Sequence, residues 1–386
     1  MKHRFASRLS QQAKIGTKLY QKLEHYFSTT NDLFTSILAI FTQTNYMAYT
    51  PRRILKDHVY EICFRTKEGL PFSATETINT LLLGIMARTN RDDKIKLCHF
   101  LWMANHCHAL VVATNPEVFC SYYNEVMKKV TESWKALFGL NSLNLWKQRI
   151  SVIELIERED VEDRIAYFYL NPAKANLASD INKYPGLNSW HFFQNASHSV
   201  DATCRRTVKW YQYTSLPPIF SDSEAIMSVP AQLKAIKSTT SSTIEHFVLS
   251  PNAWMKAFGI TTSEEVKAIN NKIKINVQER TAIFSAERRL ENKSTLGVTV
   301  LKSEQPSLTG WQSPKNDRRI FVICSKSTLR REYIKVFKEF CEHCAQARKN
   351  VLAGLKKIIW PEGAFVPWFS PLKCGFINAC ISLPDS

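Results

Sequence analysis

From Lys94 to Ala113 the sequence runs as an extended, strongly apolar stretch, and two histidines one residue apart interrupt it in the block LWMANHCHALVV. Successive side chains of a strand point to opposite faces, so His106 and His108 share one face while Cys107 points to the other. Two imidazoles facing the same way make half a metal site. Alone the pair is weak evidence, because strand histidines commonly serve as satisfied core or surface groups. Ala104 and Asn105 mark a bend just before them, and Ala109 to Val112 carries the strand into an apolar interior.

The flanking pattern alternates between periods of two and of about 3.6 residues. His58 to Arg65 reads as a strand, with Val59, Glu61, Cys63 and Arg65 on one side and Tyr60, Ile62 and Phe64 on the other, ended by Gly69 and Pro71. Thr75 to Thr89 places Ile78, Leu81, Leu82, Ile85 and Met86 at helical spacing behind Ser73 and Thr75 as candidate caps. Pro116 opens a second helix that lasts until Gly139, with Phe119, Tyr122, Tyr123, Val126, Val130, Trp134 and Leu137 as its stripe. Trp146 to Ile156 is strand-like, and Asp160 to Leu170 is helical, with a stop expected at Asn171 and Pro172. Strands alternating with helices imply an α+β domain, with helices packed on one face of a sheet, ending near Trp190.

Beyond that point the stretch from Ser197 to Ser242 is rich in Ser, Thr and Pro and reads as connecting loops. The carboxy-terminal part predicts a helix over Ser263 to Glu291, an extended patch over Val298 to Lys302 and a long helix from Ser327 to Lys357. Four regions are therefore expected: an amino-terminal extension over 1–46, a compact domain over 47–190, a connecting region over 191–262 and a mainly helical accessory domain over 263–386.

Lys and Arg outnumber Asp and Glu by 51 to 34, giving a net charge of +17 and a pI near 9.4. Such a field suits a polyanionic partner, nucleic acid first. Ten cysteines follow no regular framework in a chain too long to need disulfide staples, which fits a reducing cytoplasm. Cys341 and Cys344 have the spacing of half a zinc site, but no second such pair exists and the segment reads as a packed helix. The apolar stretch from Leu33 to Phe41 falls well short of the ~20 residues of a membrane span, and it neither starts nor ends as a secretory signal does.

On a helix of about 100° per residue, Ile165, Phe168 and Tyr169 fall within about 80° of Val161, and the four define a core face. Tyr167, Asn171, Arg164 and Asp160 fall on the other side, and Tyr167 and Asn171 lie one turn apart. That face presents a phenol, an amide and a guanidinium. Tyr169 belongs with the packing.

These residues resemble the HUH single-tyrosine transposases, and specifically their REP-associated tyrosine transposase branch. The resemblance covers about Met47 to Trp190: Pro51-Arg52-Arg53, His58-Val59, the NHCH block, Trp146 with Arg149, and YFYLNPAKANL. The segment from Arg330 to Phe365 resembles a carboxy-terminal extension of some relatives, and relatives typically begin at a position like Met47. The resemblance implies a ferredoxin-like antiparallel sheet. It also implies a divalent cation, Mg²⁺ or Mn²⁺, held by His106, His108 and Asn171, with Tyr167 as the nucleophile. Attack on single-stranded or hairpin DNA would give a 5′-phosphotyrosine and a free 3′-OH. A free phenol titrates near about 10, so its surroundings must favour the phenolate. Arg52, Arg53, Lys128, Lys129, Lys147, Arg149, Arg164 and Lys174 are candidate phosphate contacts, in a monomer or homodimer with no membrane partner.

Two departures stand out. Cys107 is smaller than the apolar residue usual between the histidines, and Ala104 replaces a common proline; neither removes a catalytic group. Three alternatives remain at this point. One is a zinc site built from His106, His108, Cys98 and Cys120, and a second is an oxygenase or isomerase with its histidines on a barrel strand, which only 11 glycines argue against. The third is a domesticated single-stranded nucleic-acid-binding protein that keeps the scaffold without transposition. Trp134, Trp146 and Trp190 could stack on bases but suit the core better.

Overall fold

The computed structural model describes residues 51–147, 150–221, 227–312, 320–355 and 357–366, and the backbone of 374–377. The expected extension over 1–46 and Arg149 lie outside the described residues. Pro51–Val351 and the described residues after Leu355 form one compact unit.

In chain order the elements are β1 (Val59–Arg65), β2 (Glu68–Leu70), α1 (Glu76–Thr89), β3 (Ile95–Met103), β4 (His106–Ala113), α2 (Pro116–Leu137), β5 (Ser151–Leu155) and α3 (Arg158–Lys174). There follow α4 (Trp190–Gln194), β6 (Cys204–Tyr211), α5 (Val229–Lys237), β7 (Ser242–Leu249), α6 (Ser263–Leu290) and α7 (Val298–Ser303). The last are β8 (Ser307–Gln312), β9 (Val322–Ile323), α8 (Ser327–Leu352), β10 (Ile358–Pro361) and β11 (Cys374–Ile377). The architecture is mixed α+β around a five-stranded sheet of order β3-β4-β1-β5-β9. The first three pairings are antiparallel, and β9 joins β5 in parallel.

Local signals place these elements where the chain chemistry demands them. The Thr75 side chain accepts from the Ile78 N–H at the start of α1, and Asn115 accepts from the Val118 N–H ahead of Pro116 in α2. Each cap satisfies a donor that the first helical turn leaves orphaned, a contribution of about 1 kcal/mol. Thr262 and Glu265 form a reciprocal capping box at the start of α6.

The central strands β1, β3 and β4 bury both of their faces. Tyr60, Ile62 and Phe64 of β1 and Cys107, Ala109 and Val111 of β4 pack with α1 and α2. Val59, Leu110, Val112 and Leu155 pack on the other side with α3 and α6. The expectation of helices on one face is thus corrected: α1 and α2 share a face, and α3 and α6 cover the opposite one. The reason was present in Ala109 to Val112, since a strand buried on both sides is apolar without alternation.

Two further expectations are corrected. Helix α3 does not stop at Asn171; it runs through Pro172 to Lys174. A proline two residues from the end forfeits one backbone bond only, its own carbonyl accepts from the Leu177 N–H at 2.9 Å, and Ala173 beside it is buried. Val298–Ser303 is helical, not extended, with Leu301 buried in the second core. Segments beyond 190 join both cores: Trp210, Phe247 and Leu249 enter the first, and Trp254, Val266 and Ile273 the second. The Ser/Thr/Pro-rich stretch itself carries β6 and α5. Among the described residues no helix is long and apolar enough to cross a membrane.

Candidate active site

Alternation on β4 turns His106 and His108 toward α3, the face on which Leu110 and Val112 pack. The antiparallel register sets Cys63 opposite His108, Arg65 opposite His106 and Glu61 opposite Leu110. Glu61 is therefore a diagonal neighbour of His108, within reach of a long side chain. Its carboxylate accepts from His108 Nδ1 at 2.6 Å and from Arg164 of α3 through Nε at 2.5 Å and Nη2 at 2.7 Å. Glu61 is fully buried. Burial alone would raise its carboxyl, but His108 and Arg164 outweigh that and hold it below the ordinary glutamate value.

The two imidazoles are 4.8 Å apart, nearly perpendicular at 89°. The Nδ1–H of His106 donates to Asn105 Oδ1 at 2.6 Å, and that of His108 to Glu61. With Nδ1 so engaged, Nε2 is the lone-pair nitrogen of each ring in its neutral form. His108 Nε2 is buried and meets no hydrogen-bond partner. Burial pushes the His106 imidazolium far down, reinforced by His108 and Arg65. For His108 burial acts the same way, yet Cys63 and Glu61 overcome it and hold the ring at about 9. An imidazolium there would bury an Nε2–H with no acceptor, which costs about 1–3 kcal/mol. A cation at that place would instead engage the same nitrogen's lone pair.

Helix α3 brings the phenol to this pair. The Tyr167 ring lies 5.6 Å from the His108 ring at 82°, and Phe168 stacks on His108 from the same helix at 5.2 Å. The Arg164 guanidinium sits 4.2 Å from the Tyr167 ring centroid, as neighbours three apart on a helix can. Asn171 lies one turn after Tyr167, and its Nδ2 is buried without a partner. The orphaned Nε2 of His108 has the lone pair a divalent cation takes, and the Nε2 of His106 and the Oδ1 of Asn171 are donors of fitting type; the Nδ2 of Asn171 is an N–H donor and does not ligate.

Tyr169 faces the other way. Its hydroxyl donates to His99 Nδ1 at 2.7 Å and lies 2.9 Å from Ser189 Oγ, while His99 Nε2–H donates to the Pro251 carbonyl at 3.0 Å. All of this network is buried. Burial lowers His99 to about 3, so it stays neutral.

The other residues singled out from the sequence divide. Arg52 points inward, to the Tyr123 hydroxyl and the Ile150 carbonyl. Arg53 bridges to Ala364 and, with Glu339, His343 and Glu362, lines a cavity of about 40 Å³. Lys129 lies 5.2 Å from the Trp210 ring, Lys147 is half-buried, and Lys128 and Lys174 are exposed. Trp134, Trp146 and Trp190 are core residues. The zinc alternative is not assembled: Cys98 packs in the second core and Cys120 in the first, on opposite faces of the sheet. Among the described residues one other group has ligand atoms close enough together for a metal ion, Glu157, Asp160 and Cys324, all within 4.8 Å. Its oxygens already accept hydrogen bonds. Glu157 takes the Cys324 thiol and the Lys326 N–H, and Asp160 takes the Ser325 N–H and hydroxyl.

Glu61 is the site residue that sequence reasoning missed, although its placement with Val59, Cys63 and Arg65 on one side of the first strand was readable. No family model matches the chain and no curated protein matches it in sequence. Among solved structures, one described as the REP-associated tyrosine transposase bound to a REP hairpin is similar over 37% of this chain and 82% of that one, at 18% identity and a TM-score of 0.32. At that similarity the role of the site has to come from its own geometry.

Proposed function

We propose that this chain is a metal-dependent single-strand DNA endonuclease and strand transferase of the HUH single-tyrosine type, with Tyr167 as nucleophile and His106, His108 and Asn171 as ligands of Mg²⁺ or Mn²⁺. The observation that carries the proposal is the buried, unpartnered Nε2 of His108, aimed by a Glu61 hydrogen bond while the ring touches Tyr167. The succession β1, α1, β3, β4, α2, β5, with both helices on one face and strand order β3-β4-β1-β5, is that of a ferredoxin-like unit and supports the same assignment.

When bound, the cation supplies a Lewis acid to a scissile phosphate oxygen. The chain's own groups do the rest. Glu61 fixes the tautomer and direction of His108. The same carboxylate anchors Arg164, whose guanidinium lies on the Tyr167 ring and sets its orientation by cation–π contact. Tyr167 Oη loses its proton and attacks phosphorus, the bond from phosphorus to the 3′-oxygen breaks, and that oxygen takes up a proton. The products are a 5′-phosphotyrosine and a free 3′-OH. One ester replaces another, so no nucleotide is consumed, and attack by a 3′-OH on the phosphotyrosine reverses the step and joins strands.

The test is incubation of hairpin-bearing single-stranded DNA with Mn²⁺, followed by denaturing electrophoresis. The chain forms a covalent protein–DNA band that chelation abolishes and that is absent in Tyr167→Phe and His108→Ala. A band surviving in Tyr167→Phe, or one indifferent to metal, defeats the proposal. Binding without any band would favour the domesticated binding protein instead.

A further inference from the structure

Strands β6 and β7 form an eight-residue antiparallel ribbon over α1, on the far side of the central sheet from the histidine pair. Its inward side is fixed by Trp210, Phe247 and Leu249, all buried. The ribbon sits so close that a Cβ on Gly84 of α1 would lie 2.4 Å from the Lys209 carbonyl oxygen. By alternation its outward side presents Arg205, Thr207 and Lys209, set opposite Val248, His246 and Ile244. Five of these six side chains are exposed, Ile244 to 65%.

The charge on this side is unbalanced. The ribbon's single acid, Glu245, points inward and is shared by two arginines, Arg88 and Arg91. Beside them Lys129 is held down by burial and by the charges of Arg88, Lys128 and Lys94, with Glu125 opposing. An outward surface of two cations, a hydroxyl, an imidazole and an exposed isoleucine, with no carboxylate, suits a polyanion that also offers apolar edges. The major groove of B-form DNA admits a two-stranded ribbon and offers thymine methyl groups beside its acceptors, whereas the A-form major groove is too narrow.

We infer that the outward face of the β6–β7 ribbon is a second nucleic-acid site, which binds duplex DNA in its major groove independently of the tyrosine face. Arg205 and Lys209 neutralise phosphates or meet guanine, Thr207 and His246 reach base edges, and Ile244 contacts a thymine methyl. A single strand at Tyr167 and a duplex at the ribbon are then held on opposite sides of one sheet.

The experiment measures fluorescence anisotropy of the full chain in EDTA against a blunt DNA duplex, the RNA duplex of the same sequence and a short single strand, over a salt series. The variants are Arg205→Ala/Lys209→Ala and Ile244→Asn, each checked for an unchanged thermal melt. The double variant is expected to lose at least tenfold in duplex DNA affinity, with a slope of log K against log salt shallower by about 2, at about 0.9 per phosphate contact. Ile244→Asn is expected to weaken duplex DNA binding while leaving RNA and single-strand binding as they were. Unchanged DNA affinity and slope in the double variant would overturn the inference, as would an equal loss on the RNA duplex or the single strand. Because no metal or cleavage enters, a failure of Tyr167 chemistry leaves this result untouched, and the reverse also holds.

Discussion

Glu61 joins three functions in one buried carboxylate: it orients His108, neutralises Arg164 and, through Arg164, steadies Tyr167. Replacing it by glutamine leaves Arg164 facing a neutral amide, a loss of about 3 kcal/mol by analogy with broken buried pairs. Glu61→Gln is expected to lower the urea midpoint accordingly and to weaken Mn²⁺ binding by about 10- to 100-fold, as loss of a carboxylate behind a ligand histidine does; calorimetric titration reads the second effect. The pH dependence follows from the sign of its shift. A carboxyl lowered by folding contributes its full stability above the ordinary value of about 4.3 and loses it as pH falls through the lower folded value. The gap in urea midpoint between the natural chain and Glu61→Gln should therefore be widest at neutral pH and close in acid. Sequence reasoning placed Glu61 on one side of its strand with Val59, Cys63 and Arg65 but gave it no role. A lone glutamate in a strand reads as a solvent-facing residue, and the groups that hold it come from positions 47 and 103 residues away.

Helix α3 shows how one element serves packing and chemistry at once. Val161, Ile165, Phe168 and Tyr169 are fully buried while Arg164, Tyr167 and Asn171 stay half-buried, and this division was legible because the helical period alone dictates it. The helix end was not legible. Proline disfavours helix locally, and only the Leu177 bond and the buried surroundings, both tertiary, let α3 pass through Pro172. The two tyrosines separate by experiment. Tyr169→Phe removes the hydroxyl shared by His99 and Ser189 and should cost about 1–3 kcal/mol in thermal or urea unfolding, yet leave the covalent DNA band in place. Tyr167→Phe should abolish the band at little cost in stability. On α1, Gly84→Ala drives a methyl into the Lys209 carbonyl and should destabilise by about 1–3 kcal/mol, read as a lower melting temperature.

At the scale of the molecule, the chain after Ile320 returns to brace the tyrosine helix. Strand β9 extends the sheet beside β5, and Ser325 and Lys326 fasten Asp160 and Glu157 at the start of α3. Tyr333 of α8 donates to Glu154, which His58 also contacts. Truncation before Ile320 should strip Asp160 and Glu157 of these partners, leave Glu154 with His58 alone, and raise amide hydrogen exchange over Glu154 to Ile165 more than over β3 or α1. The sequence could not announce this, since two residues of strand carry no periodicity and the pairing spans more than 160 positions. Charge suggested a polyanion partner and the NHCH and tyrosine-helix patterns a histidine–tyrosine constellation; in the fold the rings of His106 and His108 lie 4.8 Å apart and those of His108 and Tyr167 5.6 Å apart.

The central claim is that the Tyr167 oxygen forms the bond to DNA. Trapping the chain on a nicked hairpin substrate with Mn²⁺, digesting both components and locating the nucleotide-bearing peptide by mass spectrometry tests it most directly. The account predicts a 5′-phosphodiester on Tyr167 within the peptide that contains Asn171. A nucleotide on Tyr169 or on any other residue, or cleavage with no covalent peptide at all, would contradict it.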